Sequence, residues 1–249
     1  MKCPICSFED TEKLIVDLSI CRNCNHIFKN IHVSPSSYKD YRSSAHREVT
    51  PEHVRCAKMA ASFRARMVTS FKDTGSVLEL GSGHRFFLDE IKEYGFEAEG
   101  TDLSLALIED LKDVHKIHYG NPTDIKELKK YDVICGFHVL EHLNEPIKEF
   151  AYLLEHLNDN GIIVLEFPTL LFFGLELSPN DFYEGLHTQY FNQTSIILFL
   201  KRCGLKPVLQ TNFWDGKMGS TLLCATREIE DIEPYKIKSF NYLEGEKNE

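Results

Sequence analysis

The stretch Val77 to Phe87, VLELGSGHRFF, constrains this chain more than any other. Val77, Leu78 and Leu80 suit a buried strand. Gly81 and Gly83 then allow a sharp turn and a close approach to a ligand that a side chain would block. From Phe86 to Tyr94, the apolar residues Phe87, Leu88 and Ile91 fall on one helical face. Strand, glycine turn and helix in that order form the opening half of a βαβ nucleotide-binding unit.

The alternation continues downstream. Candidate strands are Val77 to Leu80, Glu97 to Thr101, Lys116 to His118, Val133 to Gly136, Gly161 to Phe167, Lys206 to Thr211 and Ser220 to Ala225. Candidate helices are Phe86 to Tyr94, Leu105 to Leu111, Ile125 to Leu128, Pro146 to His156 and Thr194 to Cys203. Upstream, Thr50-Pro51-Glu52 is a strong helix start, and the helix should run to about Phe71. The pattern predicts an α/β fold with a doubly wound, mostly parallel, seven-stranded sheet. The last two strands lack an intervening helix pattern, which predicts an antiparallel hairpin at the sheet edge. The expected organisation is a knuckle over 1–30, a connector and helix over 31–72, a cofactor domain over 73–228 and a charged tail over 229–249.

The knuckle rests on Cys3, Cys6, Cys21 and Cys24, two CxxC pairs separated by fourteen residues. Four thiolates complete a tetrahedral site for structural zinc, with no open position for substrate or water. A segment this small has too little core to fold without that ion. The alternative is a redox pair, but neither CxxC opens a helix after a strand. His26 is a spare candidate ligand.

Composition narrows the classes. The formal net charge of −10 argues against non-specific binding to nucleic acid or to an anionic membrane. The longest apolar candidate for a membrane span, Gly161 to Phe173, is short and carries Glu166 and Pro168. Met1-Lys-Cys-Pro4 opens a cysteine motif rather than a hydrophobic leader, and Cys56, Cys135, Cys203 and Cys224 are scattered. A reducing, cytoplasmic location is therefore expected.

Asp102, at the end of the second strand of the βαβ unit, lies about twenty residues past the glycine turn, where an acid accepts hydrogen bonds from ribose hydroxyls. Its alternative role as the next helix's N-cap can be filled by Ser104. The turn departs from a dinucleotide fingerprint: His84, Arg85 and Phe86 follow Gly83, with no third glycine. A pyrophosphate needs close backbone approach there, whereas a cofactor without phosphates does not. Further on, His138, Glu141 and His142 stand at i, i+3 and i+4, and on a helix these metal-capable side chains would share a face.

Taken in order, Glu79-Leu-Gly-Ser-Gly83, Gly100-Thr-Asp-Leu-Ser104, Tyr131-Asp-Val-Ile134, Val139-Leu-Glu-His142 and Asn160-Gly-Ile-Ile163 resemble the class I S-adenosylmethionine-dependent methyltransferases. The resemblance spans roughly residues 50 to 226, and the knuckles ahead of it resemble a subgroup with an N-terminal zinc-binding segment. It implies that Glu79, Gly81 and Gly83 line the methionine end of S-adenosylmethionine, that Asp102 holds the ribose, and that Leu103 packs on adenine. Asn121 stands where the family often has an acid near the adenine amine. Phe137 and His138 would border the sulfonium. The segment 180–191 would cover the acceptor, with His187 as the leading general base, His138 and Tyr190 beside it, and Tyr183 and Glu184 as weaker candidates. Tyr38, Tyr41 and Arg42 in the connector are candidates for a lid.

The expected function is methyl transfer, with O-methylation favoured, to a small polar acceptor such as a nucleotide-linked sugar, a glycan precursor or a secondary metabolite. The expected partner is that small molecule rather than nucleic acid, and oligomeric state is left open. The competing reading is a catalytically silent methyltransferase-like module that docks a partner through its knuckle, supported by His84, Arg85 and Asn121. A dehydrogenase is third, since the incomplete glycine fingerprint serves a dinucleotide poorly.

Overall fold

Strands buried on both faces must alternate their side chains between two separate cores, and this chain does so. The structure, a computed structural model, describes residues 1–15, 17–30, 50–170, 186–214 and 219–227. Seven strands form the main sheet: β4 (Ser76–Leu80), β5 (Glu97–Asp102), β6 (Lys116–Tyr119), β7 (Tyr131–Phe137), β8 (Leu157–Pro168), β10 (Leu205–Trp214) and β11 (Gly219–Arg227). Val77, Val133, Cys135, Ile162 and Val164 face one layer, with Ala61 and Ala65 of α1 (Pro51–Thr69) and Leu88 and Ile91 of α2 (Phe86–Glu93). Their neighbours Leu78, Ile134, Ile163 and Leu165 face the other, with Phe150 of α4 (Pro146–Glu155) and Phe199 of α5 (Gln193–Arg202).

The order across the sheet is β10-β11-β8-β7-β4-β5-β6. Strand β4 pairs in parallel with β5 on one side and β7 on the other, so the winding direction reverses there. Strand β11 is antiparallel to both β10 and β8, which inserts the last strand between its predecessor and the parallel body. Three short strands, β1 (Thr11–Ile15), β2 (Leu18–Cys21) and β3 (Ile27–Lys29), form a second sheet at the N-terminus. Its fourth strand, β9 (Gln189–Tyr190), comes from the far end of the chain, with Ile27 opposite Tyr190. The knuckle therefore shares a sheet with the body, and Cys3, Cys21, Cys24 and Phe28 share the core that holds Phe191 and Phe199.

Local signals read from the sequence fare unevenly. The Thr50 hydroxyl accepts from the His53 amide as expected of an N-cap, although α1 ends at Thr69, short of Phe71. Ser104 caps α3 (Leu105–Leu111) by accepting from the Leu107 amide. The helix expected over Ile125 to Leu128 is absent; a single 3-10 turn, Pro122–Asp124, stands just before it. Pro122 there fixes the first φ of the turn, and the apolar run is too short to propagate a helix. Helix α5 is capped by Asn192 rather than Thr194, through a reciprocal box with Ser195. Strand β8 begins at Leu157, four residues before the expected Gly161, because Leu157 pairs with Tyr131 ahead of a register shift. The lid candidates Tyr38, Tyr41 and Arg42, the acceptor-loop candidates Tyr183 and Glu184, and the tail lie outside the described residues.

The far edge of the sheet is tied by one carboxylate. Glu99 of β5 receives His118 Nε2 at 2.9 Å, the Tyr131 hydroxyl at 3.0 Å, and Lys129 and Lys116 at 3.0 and 3.1 Å. Burial alone would raise its pKa, but these donors outweigh it and hold the carboxyl down at about 2, below its ordinary 4.5. A depressed folded-state pKa contributes stability above about 4.5, and that contribution fades as pH falls toward 2. Glu99→Gln is therefore expected to lower stability at neutral pH, with the gap to wild type closing between pH 4.5 and 2. Denaturation followed across that range checks it; a gap independent of pH would refute the linkage.

Candidate active site

Open α/β sheets bind ligands beyond the carboxyl ends of their strands, where the winding reverses. A cavity of about 750 Å³, counting its open mouth, occupies that place here. Leu80 and Gly81 enter it from the end of β4, and Thr101, Asp102 and Leu103 from β5. Asn121 and Pro122 follow β6 into it, and His138, Val139 and His142 follow β7.

The glycine turn shapes one wall. Gly81 has a φ of 61°, and a Cβ there would meet Val139 Cγ2 at 2.8 Å, so the residue is held to glycine by both conformation and space. The Gly83 amide donates to Asp102 Oδ2 at 3.0 Å, and the Ser104 amide to Oδ1 at 2.8 Å. These two amides orient the Asp102 carboxylate where it lines the cavity. Behind the turn, Glu79 is buried, and its Oε2 has no hydrogen-bond partner. Burial drives its pKa well above the ordinary range, against the pull of Arg64 and with the push of Asp102.

Past the end of β7 stands an array of acids and imidazoles, of which His138 and His142 line the cavity. Arg64 of α1 grips Glu166 of β8 through two hydrogen bonds of 2.7 and 2.9 Å. His138 Nε2 adds a third contact to Glu166 at 3.1 Å, while the His138 amide donates to the Glu166 carbonyl at 2.7 Å. These ties hold His138 at a φ of 59°, a left-handed conformation that costs a side-chain-bearing residue about 1 kcal/mol or more. The His138 Nδ1 lies 3.4 Å from Glu141 Oε1. Burial would lower the His138 pKa, but Glu141 and Glu166 outweigh it and raise it to about 9, so the ring is an imidazolium at neutral pH. Burial would likewise raise Glu166, yet His138 and Arg64 pull it down to about 2.

A family model described as a methyltransferase domain matches residues 52–210, more than half of the chain. The chain belongs to the methyltransferase-domain family. It is a methyltransferase with a Rossmann-like sheet. Among solved structures, the 1,6-didemethyltoxoflavin N1-methyltransferase of Burkholderia thailandensis is 13% identical over 88% of this chain and 99% of its own, with a TM-score of 0.59. The PH0226 protein of Pyrococcus horikoshii is 16% identical over 76% of this chain and 99% of its own, also at 0.59. An S-adenosylmethionine-dependent methyltransferase of Clostridium acetobutylicum is 10% identical over 76% and 99%, at 0.54. At these identities the likeness is one of fold alone. No curated protein matches the sequence significantly.

In this methyltransferase the expected site residues divide between the cavity and its supports. Gly81, Asp102, Leu103, Asn121 and His138 line it, whereas Gly83 supports Asp102 from within the turn and Glu79 is buried ahead of it. Phe137, expected at the sulfonium, turns into the core instead, edge-on to Phe87 with centroids 4.9 Å apart and with Arg64 stacked over its ring. His187 is set behind His142, ring centroids 4.7 Å apart, and burial lowers its pKa to about 4. Tyr190 is buried in β9, opposite Ile27. His84 is exposed, and Arg85 pairs with Asp89 at 3.1 Å.

The HxxEH segment is not an α-helix. A 3-10 turn, Leu140–His142, follows the left-handed His138. The three side chains still converge, because all approach Glu141. Two residues escaped the sequence reading, Arg64 and Glu166. The signal for Glu166 was present: a lone acid in the apolar run from Ile162 to Phe167 demands a buried partner.

At the N-terminus, Cys3, Cys6, Cys21 and Cys24 bring their four sulfurs within 4.8 Å of one another, with Cys3–Cys24 at 3.8 Å and Cys6–Cys21 at 3.5 Å. A tetrahedral thiolate site with arms of ~2.3 Å has edges of about 3.8 Å, so the cluster fits one metal ion. His26 is not part of it. That ring packs at a tilt against Phe191, centroids 4.9 Å apart, and shares a 2.9 Å hydrogen bond with Gln189, facing the body rather than the ion.

Removing one partner from a buried ion pair strands the other charge. Arg64→Met is expected to destabilise the protein by about 3 kcal/mol in urea denaturation. A loss under about 1 kcal/mol would mean that His138 alone satisfies Glu166.

Proposed function

We propose that this methyltransferase transfers the methyl group of S-adenosylmethionine to an oxygen of a small polar acceptor, such as a nucleotide-linked sugar, a glycan precursor or a secondary metabolite. The observation that carries the cofactor assignment is the pairing of Asp102, oriented by the Gly83 amide, with a glycine at position 81 that leaves its wall bare. Asp102 would accept from the ribose hydroxyls, Leu103 would cover one adenine face, and the Asn121 side chain would meet the adenine edge. Burial raises the pKa of Glu79 and leaves its Oε2 unpartnered, a cost that the ligand's ammonium would offset on arrival.

When bound, the cofactor supplies an electrophilic methyl on a sulfonium, transferred by in-line displacement. The chain's own residues have three tasks: hold the acceptor in line, exclude water, and take its proton if the nucleophile is a hydroxyl. His138 reaches the cavity as an imidazolium, so it donates a hydrogen bond and supplies positive charge rather than acting as a base. A hydrogen bond from the His138 ring would favour an acceptor oxygen that becomes anionic, which supports O-methylation. His142 also faces the cavity, with His187 packed behind it. The four-cysteine cluster would hold a structural zinc ion and keep β3 against β9.

S-adenosylhomocysteine is expected to raise the melting temperature of the wild-type protein, and Asp102→Ala to abolish that shift while leaving the unliganded melting temperature within a few degrees. Calorimetric titration with the same compound gives the affinities directly. The absence of a shift and of binding heat in the wild type would end the cofactor assignment. Chelation of the cysteine-bound ion is expected to lower the melting temperature, read by calorimetry with and without added zinc; an unchanged transition would show the knuckle to be metal-independent.

A further inference from the structure

Glu141 is the least satisfied acid among the described residues. Its side chain is 1% exposed, and neither carboxylate oxygen has a hydrogen-bond partner. Three imidazoles surround Oε1: His138 Nδ1 at 3.4 Å without hydrogen-bond geometry, and His142 Nε2 and His187 Nε2 each at 3.9 Å. The last two distances are too long for hydrogen bonds. A buried carboxylate ordinarily collects donors, and the imidazolium of His138 is shared with Glu166.

Local structure directs the two remaining rings at this acid. His142 Nδ1 lies 3.1 Å from the Leu186 carbonyl, a contact that fixes the ring with Nε2 facing Glu141. His187 is fixed by its neighbour: the Thr188 amide donates to the Glu141 carbonyl at 2.8 Å, and the Thr188 hydroxyl to the Leu143 carbonyl at 2.9 Å. One atom from each of Glu141, His142 and His187 lies within 4.8 Å of the others.

We infer that Glu141, His142 and His187 form a second metal site, for one divalent transition-metal ion of the zinc class, in the wall of the methyl-transfer cavity. Two imidazoles and a carboxylate are a borderline donor set that suits zinc, iron or cobalt over magnesium or calcium. A tetrahedral ion with arms of ~2.1 Å spaces its donors about 3.4 Å apart, so closure asks each pair to draw in by roughly 0.5 to 1.4 Å. Three protein ligands leave one position open, unlike the closed cysteine site. His142 and Leu186 line the cavity, so that position is placed to take an acceptor oxygen. A hydroxyl bound there loses its proton to solvent near neutral pH; its oxygen then forms the new bond to the methyl carbon as the carbon–sulfur bond breaks toward sulfur. This use of the ion rests on the proposed methyl transfer to oxygen, but the binding of the ion does not.

The test is a cobalt(II) titration of the metal-stripped full chain, read by absorption and by total bound metal. Cobalt at four thiolates gives strong near-ultraviolet charge transfer, whereas a nitrogen–oxygen site adds only weak visible bands. The expected result is two equivalents, one of each kind. Glu141→Gln and His187→Gln should each keep the thiolate equivalent and weaken the other ~100-fold or more. Retention of the thiolate bands and of the shift with S-adenosylhomocysteine reports that each variant is folded. Wild type saturating at one equivalent, or a second equivalent undiminished in both variants, would overturn the site. A second equivalent in a protein that shows no cofactor shift would sink the cofactor assignment and leave the metal site standing.

Discussion

The Glu166 carboxylate joins three parts of this molecule that no stretch of backbone connects directly. It sits within the run Ile162 to Phe167 of β8, whose other residues are Ile, Val, Leu and Phe, and a bare charge there would cost several kcal/mol. Arg64 brings α1 onto the sheet to meet it, and His138 brings the end of β7. The same residue's carbonyl then accepts the His138 amide, which holds the chain in a left-handed turn from which Val139 and His142 reach the cavity. Much of this side of the cavity follows from that one buried acid and the two cations it requires.

The knuckle obeys a related constraint. Thirty residues with four cysteines cannot bury enough apolar surface to stand alone, and this segment has not been left to do so. Gln189 and Tyr190 complete its sheet, Asn192 donates to the Cys24 and Asn25 carbonyls, and Arg202 donates to the Ile5 carbonyl. The Gln189 side chain donates to the Leu143 carbonyl while sharing its other end with His26. The cysteine cluster and the segment after β7 are thus both attached to one short strand and its flanks. That arrangement makes the knuckle a brace for His187 and its neighbours, and it commits the β3 edge to the body rather than to a docking partner.

How far the sequence discloses this depends on the range of the interactions. Period-two patterns in β4, β7 and β8, the glycine turn, and Asp102 at the end of β5 are local in sequence, and they appear where the pattern places them. The insertion of β11 between β8 and β10 is legible only as a hairpin, because strand order within a sheet is settled by long-range pairing. Short elements resist for another reason: Pro122 and an apolar run of one turn decide between a helix and a 3-10 turn by less than a kcal/mol per residue. Arg64 and Glu166 are 102 positions apart, and nothing in one chain announces their meeting. What the sequence does expose is the anomaly each represents, an acid in an apolar strand that must find a partner somewhere.

The contrast between Glu99 and the cavity acids shows how the fold marks where its ligands belong. Glu99 is ringed by four donors, and its proton is held off by them; such a site is complete within the chain. Glu79 and Glu141 are as deeply buried, yet each leaves an oxygen with no hydrogen-bond donor, one behind the glycine turn and one behind His142. Neither vacancy helps the free protein, since an unsatisfied buried oxygen costs stability. Glu79 precedes the glycine turn that borders the cavity, and Glu141 stands between His138 and His142, which line it. A cationic group arriving at each would relieve both penalties, an ammonium at the first and a metal ion at the second. Binding free energy at this site is then drawn partly from strain stored in the empty fold, and the protein should gain more in stability from its ligands than their exposed contacts alone would give.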